Sequence, residues 1–575
     1  MRFSLTSTTT GLKKQALFLV VVVLAVYSRA VFGTVVSIDD VGIMKFYGSQ
    51  GLRLTDALTP GQGYYYRPVI ALSFYLDHLL FGQNPIILHL ENILIHAANA
   101  VLVLLLGRRL LPESTRWAPL VAALLFAVHP VNSEAVSWIA GRTDPLAASF
   151  VLLACISLLK GMETGRMRHT VASIALLVAG VMTKETAIVF VPASLLLIAL
   201  WRRLHPGRHV EAVRMQARVL VACYLLMGVL ISAVLLSRTA GENSLAKLLI
   251  ANIKSPAASL LLGGEVFGFY VKKMFLPWPL SFAIVDLSAW YLVAAVAGVL
   301  FCLFARRSYP TVTMLCIGAL FLLPAVAVGV FDVAWTVAAE RYLYIPSAFF
   351  AIGLTGYAAG ALQLRERLAL IAVFCCIAAA GFATWHRTGV WGSNIALFED
   401  SIATSPTVGM LHHELAIAYA KAGRYAEAAK ELEVASSLNI SEMLKRMIRK
   451  DRLLVRLQGV PPEEKRRLIN LHGWNLVKQD KDLLEILRAN DYLIVPKLGP
   501  GPEKAALISE LVTVSEALFA LTGDPILLYN NGQLLLESGD RGGARASFVR
   551  CATAAPRDAY YVKAALKLAA ALEER

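Results

Sequence analysis

The sequence predicts an all-α protein with a membrane bundle of about 11 transmembrane helices followed by a soluble α-helical domain. Apolar residues make up 57% of the 575 residues and charged residues only 17%. The apolar residues are gathered in blocks of membrane-spanning length up to about residue 390, after which the chain becomes rich in Ala, Leu and charge. We therefore expect a transmembrane module at 1–390 and a soluble helical domain at 391–575.

The individual spans follow from the length of the apolar blocks, since a helix needs about 20 apolar residues to cross a bilayer. The first block resembles a signal peptide with Lys13 and Lys14 before it, but it is long and lacks a clear cleavage site, which favours a retained anchor. Residues 37–85 and 238–288 are expected to be external loops, the second with a re-entrant or interfacial helix that places Lys272 and Lys273 near the headgroups. The expected spans are about 14–36, 86–107, 117–129, 145–160, 169–183, 186–201, 219–237, 289–305, 311–330, 345–362 and 368–385.

The charges indicate the orientation of the chain. Residues 1–390 hold 31 Lys and Arg against 17 Asp and Glu, whereas residues 391–575 hold 24 against 23. The bases stand at the ends of apolar blocks, which is typical of membrane topology and not of nucleic-acid binding. Alternate loops collect 18 bases and four acids, so the positive-inside rule makes that side the cytoplasm. We expect a cytoplasmic N-terminus, external C-terminal repeats and a bacterial inner membrane location.

The C-terminal part contains a helix-turn-helix repeat. Residues 408–441 fit the 34-residue tetratricopeptide pattern, and a second copy covers 525–557. A generic α-hairpin is the alternative. The residues that carry the first copy are Leu415, Ala416, Tyr419, Gly423, Tyr425, Ala428, Leu432 and Ala435, and those of the second are Gly532, Gly539, Ala544, Phe548 and Pro556.

Two adjacent acids, Asp39 and Asp40, follow the first span on the expected external side. Neighbouring carboxylates repel each other, which raises the pKa of one of them. A carboxylate with such a pKa suits a general base that takes a proton from a hydroxyl group. The alternative is a solvated helix end.

A second group of polar residues lies in the third external turn. His129 and Glu134 are followed by Arg142 and Asp144. Arg142 can hold a phosphate in bidentate fashion, and the two acids can bind sugar hydroxyls or a cation. Asp144 before Pro145 is alternatively a helix cap.

Further cations stand at the outer ends of spans, where the phosphate of a lipid would lie. Lys184-Glu185 and Glu340-Arg341-Tyr342 are two such groups, and Tyr66-Arg67 lies in a loop whose aromatic residues suit the membrane interface. Cations at these positions can bind a phosphate or anchor their helices by reaching to phospholipid headgroups.

The second span carries a polar stripe of His89, Asn92, His96 and Asn99. The two histidines are about 10 Å apart along the helix, which is too far for one metal ion. The stripe predicts hydrogen bonds between helices.

Taken in order, these motifs resemble those of the transmembrane and tetratricopeptide-repeat O-mannosyltransferases and their bacterial relatives, which are similar to the protein O-mannosyltransferases within the GT-C class. The motifs are the Asp-Asp pair, Tyr-Arg-Pro, His-Pro-x-x-x-Glu with Gly-Arg-x-Asp, Lys-Glu and Glu-Arg-Tyr-Leu-Tyr-x-Pro-Ser. The resemblance implies an inverting glycosyltransferase that moves mannose or another hexose from a polyprenyl-phosphate carrier to Ser or Thr of an exported protein.

The same resemblance implies roles for single residues. Asp39 is the base and Asp40 supports it, while Arg142, Lys184 and Arg341 hold the donor phosphate. The repeats dock the acceptor protein, membrane lipids surround the bundle, and no nucleic acid is involved. A divalent cation is possible, although no ligand set requires one. The alternatives are a lipid or glycan acceptor, a transporter of a polyprenyl-linked sugar, and a scaffold.

Overall fold

The computed structural model describes residues 5–47, 54–55, 67–111, 117–206, 255–331, 334–361, 366–456, 467, 478–556, 559 and 561–573. Its described regular structure is helical, and it forms two compact units, residues 1–408 and 409–575. The predicted all-α class is confirmed. The predicted span at 219–237 and the site residue Tyr66 lie outside the described residues.

The first unit is built mainly of long apolar helices. Their ends follow ordinary capping rules: Pro68 and Pro85 open helices, Asn84 caps the second of these through the amide of Ile86 (3.0 Å), and Gly82 ends the first in a left-handed conformation. The described helices are α1 Leu5–Val26, α2 Asp40–Tyr47, α3 Pro68–Phe81, α4 Pro85–Leu110, α5 Ala118–Val128, α6 Ser133–Ser137, α7 Thr143–Thr164, α8 Met167–Thr183, α9 Phe190–Leu204, α10 Pro256–Phe275, α11 Tyr291–Phe304, α12 Tyr309–Val330, α13 Tyr344–Ala361, α14 Glu366–Val390 and α15 Asn394–Thr404.

Seven helices among the described residues are long and apolar enough to cross a membrane, and α5 with the following short helices forms a further pair bent by 48°. Six of the seven lie in the first unit, and these helices identify the chain as an integral membrane protein. The seventh, Pro502–Thr522, belongs to the second unit and carries Glu503, Lys504, Glu510 and Glu516, which favours a helix of the repeat array. The structure does not establish the expected count of 11 spans.

The core of the first unit is formed around α4. This helix packs against α1, α5 and α7, while α13 packs against α5 and α12. Small side chains such as Ala97, Ala100 and Ala122 are buried at these crossings, which lets the backbones approach closely.

The polar stripe on α4 bonds to neighbouring segments, as predicted. Asn92 donates to the carbonyl of Trp138 at 2.8 Å and Asn99 to that of Pro145 at 2.7 Å. His96 contacts the Tyr344 hydroxyl at 2.6 Å and the Ala127 carbonyl at 3.0 Å. Three of the four stripe residues therefore join α4 to the segments that build the site described below.

Two segments differ from the prediction. The expected loop 37–85 contains α2 and α3, because apolar faces such as Ile70 and Phe74 are buried against other helices. The helix expected within 238–288 is present as α10, but Lys273 is 2% exposed and pairs with Glu340 at 2.5 Å instead of reaching headgroups.

The second unit consists of helical hairpins. Gly423 (φ +77°) turns the chain of the first copy and Gly539 (φ +87°) that of the second, a conformation that glycine adopts without strain. The predicted helix-turn-helix units are confirmed, and Gly532 lies directly beneath the Phe548 ring. The described helices are α16 Gly409–Lys421, α17 Tyr425–Ser437, α18 Glu442–Arg456, α19 Lys481–Ile494, α20 Pro502–Thr522, α21 Ile526–Ser538, α22 Arg541–Ala554 and α23 Val562–Ala571.

Candidate active site

A cavity of about 480 Å³ in the first unit brings together several of the segments that the sequence singled out. Among the described residues, its charged side chains are one acid, Asp39, and three cations, Arg67, Lys184 and Arg341. The remaining lining comes mostly from aromatic and aliphatic side chains, as in most sites for small molecules. The full lining is Ile38, Asp39, Ile43, Tyr47, Arg67, Ile70, Phe74, Trp138, Ala140, Thr143, Lys184, Val328, Ala334, Trp335, Arg341 and Tyr342.

Asp39 reaches the cavity through an uncommon backbone conformation. Its φ is +66°, in the left-handed region where Asp and Asn are found more often than other residues with a side chain. This conformation falls just before α2, at the point where the chain turns into the helix. The turn therefore sends two consecutive carboxylates into different surroundings.

Asp40 is fully buried behind the cavity wall. One carboxylate oxygen accepts from the amide of Val36 at 3.0 Å and the other from the amide of Ala140 at 2.8 Å. Burial raises the pKa of Asp40 to about 8, and repulsion by Asp39 contributes less than burial does. Asp40 thus joins the loop after the first span to the Gly-Arg-x-Asp turn.

Lys184 is held by Asp144. Its Nζ lies 2.6 Å from Oδ1 of Asp144, and both side chains are buried. The ammonium also stands 4.8 Å from the centre of the Tyr342 ring, a cation–π distance. Lys184 lines the cavity and Asp144 does not, so the carboxylate supports the cation from behind.

Arg341 is held by Glu134 in a similar way. Its guanidinium lies 2.6 Å from Oε1 of Glu134, and its own backbone amide donates to Oε2 at 3.1 Å. The guanidinium also stands 5.4 Å from the centre of the Trp138 ring. One carboxylate therefore fixes both the backbone and the side chain of Arg341.

The third cation is Arg67, whose guanidinium pairs with Glu185 at 2.8 Å. In all three pairs the cation lines the cavity and the acid comes from a different segment. The partners of Lys184 and Arg341 are buried, so these two cations keep their positions without a ligand, which is the preorganisation that an electrostatic site needs. Glu185 is exposed, so it holds Arg67 less firmly.

The remaining predicted site residues lie outside the cavity lining. Arg142 is 1% exposed, pairs with Asp77 and with Glu91 (3.0 Å), and donates to Asn92 (2.9 Å). Arg142 connects α3 with α4. Its guanidinium carbon lies 4.6 Å from the centre of the Phe74 ring. Its neighbours make it a link between helices.

His129 and Glu340 also face other elements. His129 Nε2 donates to the carbonyl of Met274 at 3.1 Å. Glu340 pairs with Lys273 and accepts from the amide of Ser281 at 3.2 Å. Both residues hold the segment around α10 against the site.

The aromatic wall of the cavity was not predicted from the sequence. Tyr47, Phe74, Trp138 and Trp335 line it. Trp138 stands three residues before the Gly-Arg-x-Asp turn and Trp335 five residues before Glu340, so proximity to a motif was the available signal. Among the described residues, no three His, Cys, Asp or Glu side chains converge on a common point.

The fold and the cavity define a class: a helical integral membrane protein with a site of three supported cations opposite one carboxylate. Residues 67–236 match the sequence model of the dolichyl-phosphate-mannose-protein mannosyltransferase family. This match includes Arg67, Trp138, Thr143 and Lys184 of the cavity but not Asp39, Arg341 or Tyr342.

Individual relatives point the same way. The chain is 38% identical over 138 residues to protein O-mannosyl-transferase Tmtc1 of Drosophila melanogaster, which is 24% of this chain and 16% of that protein. It is 27% identical over 416 residues to protein O-mannosyl-transferase TMTC4 of Mus musculus, which is 62% of this chain and 56% of that protein. The matched region covers 16% of the first of these relatives and 56% of the second, so the chain spans less than two thirds of the length of either. The resemblance to the transmembrane and tetratricopeptide-repeat O-mannosyltransferases is confirmed.

Proposed function

We propose that this chain is a membrane glycosyltransferase that moves a hexose, mannose in the first instance, from a polyprenyl-phosphate carrier to a Ser or Thr hydroxyl of an exported protein. The observation that carries the proposal is the placement of Asp39 in one cavity with Arg67, Lys184 and Arg341. The matching family and relatives are named as protein mannosyltransferases, which supports the choice of sugar and of acceptor.

Asp39 is the general base of the proposed reaction. It takes the proton from the acceptor hydroxyl while the oxygen attacks the anomeric carbon from the face opposite the phosphate. The new glycosidic bond forms as the bond between the anomeric carbon and the phosphate oxygen breaks. A single displacement of this kind inverts the configuration at that carbon.

The three cations stabilise the leaving group. The carrier departs as a phosphate monoester with one more negative charge than the bound donor, and that charge develops in the transition state. Fixed cations act on such a charge most strongly when they need no rearrangement. Asp144, Glu134 and Glu185 supply that fixation through the ion pairs described above.

Asp40 positions the base. One hydrogen bond closes the loop from Val36 to Asp40, which contains Asp39, and the other joins Asp40 to the amide of Ala140 in the turn. The aromatic wall, with Trp138 and Trp335, offers flat apolar surface to the C–H faces of a sugar ring. The sugar then lies between the wall and the cations.

The orientation follows the charge distribution in the loops. With the basic loops in the cytoplasm, Asp39 lies on the external side of a bacterial inner membrane and the repeats lie in the periplasm. A polyprenyl chain can then stay in the lipid while its phosphate-sugar head enters the cavity and the acceptor arrives from water.

The test is replacement of Asp39 by Asn. Asn tolerates the left-handed backbone and matches the shape of Asp, so the protein is expected to insert normally while transfer falls by about 10²–10⁴-fold. The purified full chain is incubated with polyprenyl-phosphate mannose and a Ser/Thr-rich peptide, and the product is measured by mass spectrometry. The matched control is Asp286→Asn, which alters an exposed acid outside the cavity and is expected to keep full activity.

Two results would contradict the proposal. If Asp39→Asn transfers the sugar at the full rate, Asp39 is not the base. Transfer to a lipid or glycan but not to the peptide, with the same dependence on Asp39, changes the acceptor class and keeps the chemistry. Exported proteins from a strain that lacks the gene provide the cellular check, because they are expected to lose a hexose on Ser or Thr.

A further inference from the structure

A basic groove in the second unit lies between α17 and α18 and has a volume of about 320 Å³. Ala426 and Ala429, one turn apart on α17, line the groove with small side chains. Among the described residues, the ionisable lining residues are three cations, Lys430, Arg452 and Arg456, and one acid, Glu433. The groove therefore presents a surplus of positive charge.

The surplus continues along α18. This helix of 15 residues holds six Lys and Arg and only two acids, although residues 391–575 as a whole are close to neutral. Arg446, Arg449, Arg452 and Arg456 are separated by three, three and four positions, which places them in one row on successive turns of the helix. Arg446, Arg449 and Arg456 are exposed.

The other charges of α18 are engaged away from this row. The Asp451 carboxylate lies 2.7 Å from Nε2 of His413 on α16, and the Lys450 ammonium lies 3.2 Å from the carboxylate of Asp480. Lys445 pairs with Glu442 at 2.8 Å. The acids that could neutralise the row from within the helix are thus held by other cations, apart from the attraction of Arg446 and Arg449 to Glu442.

The two walls of the groove, α17 and α18, are both held by the neighbouring helix α16. His412 on α16 contacts Glu431 of α17 at 2.7 Å, and His413 on the same helix contacts Asp451 of α18. Arg452 additionally donates to the Ser436 hydroxyl at 3.0 Å. Two pairs from one helix thus set the separation of α17 and α18, so the groove is preformed.

We infer that this groove binds an acidic stretch of a protein partner, whose carboxylates contact Lys430, Arg452 and Arg456. Charge complementarity selects an anionic ligand, and arginine forks are suited to carboxylates in bidentate geometry. The cations line a groove between two helices, which suits a peptide segment, and not the broad face that a bilayer surface needs. The inference is independent of the reaction proposed for the first unit.

The experiment measures binding of a fluorescent peptide rich in Glu and Ser to the full chain in neutral detergent by anisotropy. The same peptide with Gln in place of Glu is expected to bind at least about tenfold more weakly, since its charge-assisted hydrogen bonds are lost. Binding of the acidic peptide is expected to weaken between about 50 mM and about 300 mM salt, because half-exposed charges are screened.

Variants of the groove identify the site. The double variant Arg452→Gln/Arg456→Gln is expected to weaken binding of the acidic peptide about tenfold or more. Arg452→Lys/Arg456→Lys keeps the charge and is expected to retain most of the binding. Ala429→Glu, which puts a carboxylate into the lining of the groove, is expected to abolish binding of the acidic peptide. The matched control Arg541→Gln/Lys563→Gln removes the same charge from exposed positions elsewhere in the unit and is expected to change nothing.

Three results would overturn the inference: equal binding of the Glu and Gln peptides, equal weakening by the groove and control double variants, or unchanged peptide binding in Ala429→Glu. Vesicles with anionic phosphatidylglycerol provide the last arm. If the groove double variant loses vesicle binding and keeps peptide binding, the row of arginines recognises lipid headgroups and not protein. Sugar transfer by the first unit is measured in parallel, so failure of one proposal is separable from failure of the other.

Discussion

At the residue scale, one backbone angle places the side chains of two neighbouring aspartates in different surroundings. Asp39 adopts φ +66° and lines the cavity, whereas Asp40 is buried under two backbone amides. The sequence indicated an acidic pair with unequal pKa values through mutual repulsion. In the structure, burial is the main cause of the raised pKa of Asp40, and Asp39 is the carboxylate that lines the cavity and is proposed as the base.

Lys184 offers a test of the proposed phosphate contact. Lys184→Gln alone leaves Asp144 buried without its partner, and we expect a loss of about 3–5 kcal/mol of stability. The double variant Lys184→Gln/Asp144→Asn removes both charges and is expected to recover most of that stability. Its KM for the polyprenyl-phosphate donor is still expected to rise roughly tenfold, because a charge-assisted contact is gone.

The measurements are thermal unfolding in detergent and donor-dependent transfer kinetics. Lys184→Arg serves as the control, since it keeps the charge next to Asp144. A double variant with wild-type donor KM means that Lys184 does not touch the phosphate and that its pair with Asp144 is structural.

At the element scale, the cavity is lined mostly by the short segments between helices, although α2, α3 and α12 also contribute side chains. The loop before α2, the turn before α7 and the residues after α8 each contribute, and the helices hold these segments in place. Gly141 explains one part of the motif in the turn before α7. A Cβ at this position would lie 2.8 Å from the carbonyl oxygen of Ala135, so only glycine fits.

Gly141→Ala is therefore expected to disturb this turn. The backbone must move to admit the methyl group, and overpacking of this kind costs about 1–3 kcal/mol. Because Asp40 and Asp39 are tied to the same turn through Ala140, transfer activity is expected to fall as well. Thermal unfolding in detergent and transfer kinetics measure the two effects.

Gly360→Ala is the control for this substitution, since no described atom beyond the backbone of its own helix lies within 4 Å of a Cβ there. It is expected to be neutral or slightly stabilising, because Ala favours a helix over Gly. Equal unfolding midpoints for the two variants would show that the close approach at Gly141 is not a constraint.

At the scale of the whole molecule, the chain divides into an apolar unit that carries the candidate active site and a second unit of helical hairpins with its own ionic contacts. His413 links α16 to α18 in the second unit. Burial alone would lower its pKa, but hydrogen bonds to Asp451 and Glu414 outweigh burial and raise the pKa to about 9. The protonated form is therefore favoured by folding.

This pair predicts a pH dependence of stability. A raised pKa contributes stability that is fully present below the ordinary histidine value of 6.5 and is lost as the pH rises through about 9. The unfolding midpoint of the second unit is expected to fall over that window. His413→Gln is expected to flatten the profile, while the exposed control Lys563→Gln leaves it unchanged.

Circular dichroism of the full chain in detergent, compared among the three proteins between about pH 6 and about pH 10, provides the measurement. A profile for His413→Gln that falls as steeply as that of the wild type would assign the pH dependence to other groups.

Hydrophobic length and the repeat pattern are local properties, so the all-α class and most of the described apolar helices could be predicted from the sequence, although α3 was expected to be part of a loop. The sequence also singled out Asp39, Lys184 and Arg341, which line one cavity, and its prediction that the stripe on α4 forms hydrogen bonds to other segments is confirmed. The tertiary structure alone decided which side chains share a cavity. Arg142 and Arg341 look equivalent in sequence, yet Arg142 is enclosed by Asp77 and Glu91 while Arg341 faces the open space. The direction of a side chain depends on partners that are distant in sequence, and no local pattern records them.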